Sequence, residues 1–145
     1  MWNNIVSSYD IEKLMNTMCF FHDSCIKEMK YLSGAYVEND LSMYPINDQR
    51  VLRVIVQRQY KDPSAIEMEF IGLKSLKLAP TDEDYTCEIL DATMIISNDS
   101  VYWCDCGGLL EKDCADYEGT VICASRVRWR AMDIYIGKNE VYIAQ

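Results

Sequence analysis

The spacing of apolar residues changes near Phe21 from a helical period to the two-residue period of strands. Before that point the apolar residues recur at three- and four-residue intervals: Ile11, Leu14, Met15 and Met18. This spacing predicts an amphipathic helix over residues 9–20. Ser8 immediately precedes the helix and is its expected N-cap.

Alternating runs separated by turn residues predict antiparallel hairpins in the rest of the chain. Residues 50–60 and 66–70 alternate on either side of a short turn. Residues 87–97 and 101–105 are expected to fold back at Asn98. The remaining strand candidates are residues 25–32, 120–132, 134–136 and 141–143.

The pattern predicts a mainly β (α+β) fold, in which one N-terminal helix precedes about seven or eight antiparallel strands. A sandwich and a partly closed barrel both fit this count. Residues 38–49 are rich in Asn, Asp, Ser and Pro, which indicates a long loop. Residues 73–78 fit a strand and a short helix equally well. Because no linker or repeat interrupts the pattern, residues 1–145 are expected to form a single domain.

The charge balance narrows the choice of partners. The chain has 23 acidic and 14 basic residues and a formal net charge of −9. This surplus disfavours nucleic acid and anionic membranes, and it favours a basic protein partner, although it also serves plain solubility. The sequence shows neither a signal peptide nor a run of ~20 apolar residues, so a cytoplasmic location is expected. In that reducing compartment the seven cysteines are expected to be thiols.

Cysteines near the middle of the chain are the candidates for a metal site. Cys104-Asp105-Cys106 is followed by Cys114 and Cys123, and four thiolates can bind zinc tetrahedrally. However, one residue separates the first pair, whereas zinc knuckles usually have two to four. Buried cysteines also commonly serve as small apolar core residues. We therefore predict no cofactor and keep these four residues as the alternative.

A thiol enzyme centred on Cys25 is a further hypothesis. His22, the only histidine, would act as the base and Asp23 would orient it. Successive side chains of a strand point to opposite faces, so these neighbours do not readily form a triad. The sequence also lacks a phosphate-binding loop, a GxSxG motif and an HExxH motif. The chain is therefore predicted not to be an enzyme.

Three arginines alternate late in the chain, at Arg126, Arg128 and Arg130, with Trp129 between the last two. On a strand they share one face, where forked contacts and stacking suit a carboxylate or single-stranded nucleic acid. The other interpretation is pairing with Glu and Asp on neighbouring strands. In so acidic a chain, we favour cross-strand pairing.

The tripeptide Phe21-His22-Asp23, after a short helix and before β hairpins, resembles the opening of the first strand in small bacterial immunity proteins. Such proteins are encoded beside secreted polymorphic toxins. The resemblance covers about the first third of the chain. It implies a protein that works by binding and carries over no catalytic residue.

These observations together predict a non-enzymatic binding protein, with an immunity-type protein that neutralises a basic toxin or nuclease as its specific form. Tyrosine and tryptophan dominate interface hot spots, and an acidic loop suits a basic partner. The expected partner-binding residues are Tyr36, Tyr44, Tyr102, Trp103, Asp82, Glu83 and Asp84. The alternative is a metal- or small-ligand-binding β domain that uses the cysteines or the arginines. Formation of a homodimer stays open.

Overall fold

The computed structural model describes residues 1–143 and confirms a mainly β fold with one N-terminal helix. In chain order the strands are β1 (Asn3–Ile5), β2 (Ser24–Leu32), β3 (Tyr36–Val37), β4 (Met43–Tyr44), β5 (Val51–Arg58), β6 (Ala65–Lys77), β7 (Thr93–Ser97), β8 (Ser100–Cys104) and β9 (Val121–Ala131). The helices are α1 (Ser8–Thr17) and α2 (Glu111–Cys114), with 3-10 turns at Cys19–Phe21 and Asp133–Tyr135.

Seven of the strands form one antiparallel sheet in the order β2-β5-β6-β9-β8-β7, with β1 also paired to β9. Strands β3 and β4 pair separately. Over the described residues the large sheet does not close into a barrel. One isolated bridge joins the edge strand β2 to the irregular stretch before β7, and in it the Ile89 amide donates to the Ser24 carbonyl at 2.7 Å.

The main hydrophobic core lies between α1 and one face of this sheet. Cross-strand register places apolar residues of β5 opposite apolar residues of β6: Leu52 and Phe70, Val54 and Met68, Val56 and Ile66. Helix α1 and its C-cap residue Met18 contribute the predicted stripe, of which Leu14, Met15 and Met18 are buried. Each side chain of this size that leaves water stabilises the fold by about 1.5–3 kcal/mol.

The start of α1 lies one residue from its predicted position. Ser7, not Ser8, is the N-cap, and its hydroxyl accepts a hydrogen bond from the Asp10 amide at 3.3 Å. The Asp10 carboxylate in turn accepts from the Val6 amide at 2.9 Å. Two free amides at the helix start are thereby satisfied, which explains why the helix begins here.

Several predicted elements need correction. Residues 38–49 are not a plain loop, because they contain β4, which pairs with β3 just before them. Residues 73–78 resolve into a strand, since β6 runs to Lys77. The strand predicted at residues 87–97 starts only at Thr93.

The final predicted hairpin, residues 134–136 with 141–143, is wrong. Asp133–Tyr135 is a 3-10 turn, and no strand follows between residue 136 and residue 143. Backbone groups bind one another in the 3-10 turn, where the Ile136 amide donates to the Asp133 carbonyl, and several others are bound by side chains of the sheet. Alternation of apolar residues could not reveal those contacts.

No helix within residues 1–143 has the length and apolar character needed to cross a membrane. The longest, α1, has ten residues, half of what a bilayer requires (~20).

Candidate functional site

The segment between β2 and β5 forms a separate hairpin, residues 34–49, which we call the arm. Strands β3 and β4 pair Tyr36 with Tyr44 and Val37 with Met43. At the tip the Glu38 amide donates to the Ser42 carbonyl at 2.8 Å. The arm is therefore a defined hairpin with its own hydrogen bonds.

The base of the arm is closed by its backbone. The amides of Gln49 and Arg50 both donate to the Ser33 carbonyl at 3.1 Å. Gly34 has a φ of +99°, and a Cβ there would lie 2.1 Å from an Asp48 carboxylate oxygen. Glycine is thus needed where the chain turns into the arm.

Large apolar side chains of the arm face solvent. Their exposed fractions range from 38% for Tyr44 to 82% for Leu41. The six members are Tyr36, Val37, Leu41, Met43, Tyr44 and Ile46. The rings of Tyr36 and Tyr44 stack on each other with centroids 5.2 Å apart. This concentration of exposed apolar residues is typical of an interaction surface.

The arm is also acidic. It contains Glu38, Asp40 and Asp48, and residues 34–49 include no lysine or arginine. The Tyr44 hydroxyl donates to the Asp48 carboxylate at 2.8 Å, and this hydrogen bond raises the pKa of Tyr44. The Tyr44 phenol therefore stays neutral at neutral pH. Tyr31 and Leu32, exposed at the end of β2, continue the apolar surface toward the arm.

The other predicted partner-binding residues lie elsewhere, and one is excluded. Asp82, Glu83 and Asp84 are exposed on the loop between β6 and β7, outside the arm that carries Tyr36 and Tyr44. Tyr102 is half-buried beneath α2. The prediction for Trp103 is wrong: it is 1% exposed and packs edge-on against Phe21 at 5.5 Å. Alternation along β8 turns its ring into the core.

The Phe21-His22-Asp23 tripeptide forms the turn between α1 and β2. Phe21 is fully buried in the core. The His22 Nδ1 lies 2.9 Å from the Leu90 carbonyl, and its Nε2 lies 3.3 Å from the Asp23 carboxylate. The Ser24 hydroxyl donates to the Phe21 carbonyl at 2.6 Å. These contacts hold the corner of the chain together.

Cys25 does not have the properties of an activated nucleophile. Burial, reinforced by the neighbouring Cys87, raises the pKa of the Cys25 thiol. Catalytic cysteines need the opposite shift, because the thiolate is the reactive form. The structure therefore gives no support to the thiol-enzyme hypothesis.

Cys25 and Cys87 line a cavity of about 580 Å³ at the end of β5. Arg58, a buried residue, also lines it, and the guanidinium donates to the carbonyl of Pro63 at 2.7 Å. Its Nη1 has no hydrogen-bond partner within residues 1–143. The other two guanidinium nitrogens donate to backbone carbonyls of the turn, and sequence patterns gave no sign of the cavity.

The four candidate zinc ligands are not assembled. Cys104 and Cys114 touch, with 3.7 Å between their sulfur atoms. Cys106 instead donates to the Gly107 carbonyl, and Cys123 lies against Tyr102. Among residues 1–143, no three His, Cys, Asp or Glu side chains are arranged to hold a metal ion. The structure thus brings together two of the four.

Two of the three arginines are engaged in cross-strand ion pairs. Register places Arg128 opposite Glu69 and Arg130 opposite Glu67, and both pairs are 2.7 Å apart. The two glutamates are almost fully buried. The indole of Trp2 lies 4.3 Å from each of the two guanidinium carbons. Cross-strand pairing is therefore confirmed for these two residues.

Arg126, also on β9, is exposed and lies opposite Ile71 of β6. Arg53, on β5, adds a second contact to Glu69 at 3.2 Å. Within residues 1–143, Arg126 is therefore the one arginine of the stripe without an ion pair, instead of the three that the sequence suggested for a ligand.

The chain after β9 crosses this polar face of the sheet, and we call residues 133–143 the C-terminal segment. Gln57 donates to the carbonyls of Tyr135 at 2.7 Å and Gly137 at 2.9 Å. The Glu28 carboxylate accepts from the amide of Val141 at 2.7 Å and from that of Tyr142 at 3.1 Å. The Tyr142 hydroxyl also donates to Glu67.

These contacts shift two pKa values. Desolvation opposes ionisation of Glu28, but the two amide hydrogen bonds outweigh it and lower the pKa of its carboxyl. Burial, followed by the hydrogen bond to Glu67, raises the pKa of Tyr142 well above its ordinary value. Glu28 is thus a charged anchor and Tyr142 a neutral donor at neutral pH.

Comparison of the chain with protein-family models, curated proteins and solved structures gives no match. Function has therefore to be inferred from the surfaces described above. The arm is the largest concentration of features suited to a partner. Sequence reasoning found its two tyrosines but missed its aliphatic members, because a polar, proline-containing stretch indicated a loop.

Proposed function

We propose that this chain is a non-enzymatic binding domain whose arm docks on a basic protein. The exposure of the six apolar arm residues carries the proposal. Patches of this kind are costly in water and mark interaction sites when they are contiguous. Stacked tyrosines are effective anchors, since a rigid ring buries much area at little cost in conformational entropy.

Charge defines the kind of partner. The arm bears three carboxylates and no basic side chain, within a chain of net charge −9. A complementary surface would offer an apolar recess for Tyr36 and Tyr44, bordered by lysine or arginine. Such complementarity speeds association and makes it sensitive to salt.

The specific form that we propose is an immunity-type protein that neutralises a basic toxin or nuclease. The resemblance of Phe21-His22-Asp23 supports this form, as does the acidic surface. A nuclease needs a basic surface to hold the phosphate backbone, so an acidic arm seated there would exclude the substrate.

The test compares what three proteins retain from a lysate of the source organism at low salt. They are the wild type, an arm variant with Tyr36→Ser and Tyr44→Ser, and a control with Tyr9→Ser and Tyr85→Ser. The control pair is exposed like the arm pair but lies outside the arm. We expect one basic protein on the wild type and the control, released by salt and absent from the arm variant.

The retained protein is then purified and titrated against all three. A tenfold or greater loss of affinity on the arm variant supports the docking site, and equal affinity for the three proteins contradicts it. Inhibition of the partner's toxic or nuclease activity supports the neutralising form. Tight binding without inhibition would support the binding function and contradict the immunity role.

Small-ligand binding is a second candidate, favoured by the cavity at Cys25 and Arg58. Its volume, about 580 Å³, lies in the range of ligand pockets. Arg58 lines the cavity, and a guanidinium suits a carboxylate ligand. A thermal shift caused by small carboxylic acids and abolished by Cys87→Trp, a change at the exposed rim, would support it. The absence of any shift would remove it.

A further inference from the structure

The thiols of Cys104 and Cys114 lie close enough together to be candidates for a disulfide bond. Cys104 ends β8 and Cys114 ends α2, ten residues later. Their sulfur atoms are 3.7 Å apart, and both residues are buried. A small cluster covers them: Ile95, Tyr102, Leu109, Tyr117 and Val121. Among residues 1–143, they form the thiol pair in direct hydrogen-bond contact.

We propose that Cys104 and Cys114 are a disulfide site, oxidised by small disulfides such as oxidised glutathione, and that the bond fixes α2 to β8. A disulfide has sulfur atoms ~2.05 Å apart, so the two side chains must close the remaining gap by rotation. The proposal concerns this pair alone and is independent of what the arm binds.

The reaction is two thiol–disulfide exchanges. The thiolate of Cys114 first attacks one sulfur of oxidised glutathione, which forms a mixed disulfide and releases one glutathione thiolate. The thiolate of Cys104 then attacks the Cys114 sulfur and displaces the second glutathione thiolate. The two protons given up by the cysteines end on the two glutathione thiolates. The protein pair is oxidised and one glutathione disulfide is reduced.

Opening of α2 controls access to the pair. This helix has a single turn, and Leu110 at its start is exposed. Such short, weakly packed elements open more readily than a central sheet. While the site is closed, burial and the hydrogen bond to Cys114 raise the pKa of Cys104 to about 12. We therefore expect slow oxidation, accelerated by alkaline pH or by mild denaturant.

The first experiment uses the wild-type protein, so it does not depend on the folding of a variant. The protein is incubated with oxidised and reduced glutathione, free thiols are blocked, and the unreduced peptides are mapped by mass spectrometry. We expect a peptide that joins Cys104 to Cys114, with a mass about 2 Da below that of the two reduced peptides together. Reduction should reverse it.

Matched variants test the pairing. Cys19→Ser removes an exposed thiol and should leave the linked peptide unchanged. Cys114→Ser should abolish it and leave Cys104 as a free thiol. A linkage to any other cysteine would overturn the proposal. So would a wild-type pair that stays reduced while exposed Cys19 and Cys87 become glutathionylated, including in mild denaturant.

A structural readout completes the test. In the oxidised wild type, amides of α2 should exchange with solvent several-fold more slowly than in the reduced protein. Equal exchange rates in the two forms would contradict the claim that the bond fixes α2.

Discussion

The β5–β6 hairpin and the arm share antiparallel pairing but differ in what happens to their side chains. Leu52, Val54, Ile66 and Met68 of the β5–β6 hairpin are almost fully buried. The large apolar residues of the arm are instead exposed. The β5–β6 hairpin therefore contributes to stability, whereas the arm keeps its apolar side chains exposed, and we propose that these contact a partner.

Layers above and below the sheet account for this difference. The apolar residues of β5 and β6 share one buried core with Leu14 and Met15 of α1, and the C-terminal segment crosses part of the other face. Nothing within residues 1–143 covers the arm in this way, and β3 and β4 have only two residues each. A two-stranded hairpin alone is marginally stable in water, so partner binding is the expected source of further order.

The largest expected effect on stability is that of Trp103→Ala in the sheet. It removes a fully buried ring and its edge contact with Phe21. We expect the free energy of unfolding to fall by about 3–5 kcal/mol, measured by chemical denaturation. Tyr9→Ala, a ring exposed to solvent, is the control and should change it by less than about 0.5 kcal/mol. Similar losses for the two variants would contradict the assignment of Trp103 to the core.

A smaller effect is expected from Glu69→Gln beneath the arginines. The change removes the charge that Arg53 and Arg128 share. Both arginines remain partly exposed, so water offsets some of the loss, and we expect about 1.5–3 kcal/mol by denaturation. Glu38→Gln in the arm is the matched control, expected to be near neutral. If Glu38→Gln lowered the free energy of unfolding as much as Glu69→Gln, the arm would contribute to the stability of the fold, contrary to our expectation.

A pH-dependent effect is expected from Asp133→Asn at the far end of the sheet. The Ser64 amide donates to this carboxylate at 2.7 Å and lowers the pKa of Asp133. Because the folded pKa lies below the unfolded one (~3.9), the charge stabilises at neutral pH and its contribution disappears as the pH falls through the folded value. The variant should be less stable than wild type at neutral pH and equal to it under strong acid. A gap that persists in acid would contradict this origin.

The smallest effect on stability is expected from Tyr36→Ser with Tyr44→Ser in the arm. These rings contact each other and solvent, so the free energy of unfolding should change by about 0.5 kcal/mol or less. The same variant is expected to lose partner affinity at least tenfold. A large fall in the unfolding midpoint of this variant would show that the arm contributes to the stability of the fold. That result would contradict the contrast drawn here between the arm and the β5–β6 hairpin.

The periodic spacing of apolar and polar residues was sufficient to predict much of the sheet, because a strand that is buried on one face has apolar residues at every second position. It located β5, the start of β6, β8 and β9, and the helix stripe at Leu14 and Met18. It failed after residue 133, where alternating isoleucines and tyrosines suggested strands. There the backbone is satisfied by Gln57 and Glu28, whose position depends on the assembled sheet.

The candidate sites were harder to predict than the elements. Arg128 and Arg130 were correctly expected to pair across strands, because alternation places opposite charges at matching positions. The contact of Cys104 with Cys114 depends on how α2 folds back on β8, which no local pattern encodes. Trp103 was misassigned to the surface, although the alternation of β8 already placed it on the face of Val101.

The bridge between Ser24 and Ile89 has a consequence for measurements of local opening. Two backbone hydrogen bonds fasten the irregular stretch before β7: Ile89 amide to Ser24 carbonyl, and Asp23 amide to Ile89 carbonyl at 2.9 Å. Within residues 79–92 most amides lack such partners and should exchange with deuterium quickly. The Ile89 amide should exchange much more slowly than its neighbours. Its exchange rate would then report how often the bridge between Ser24 and Ile89 opens.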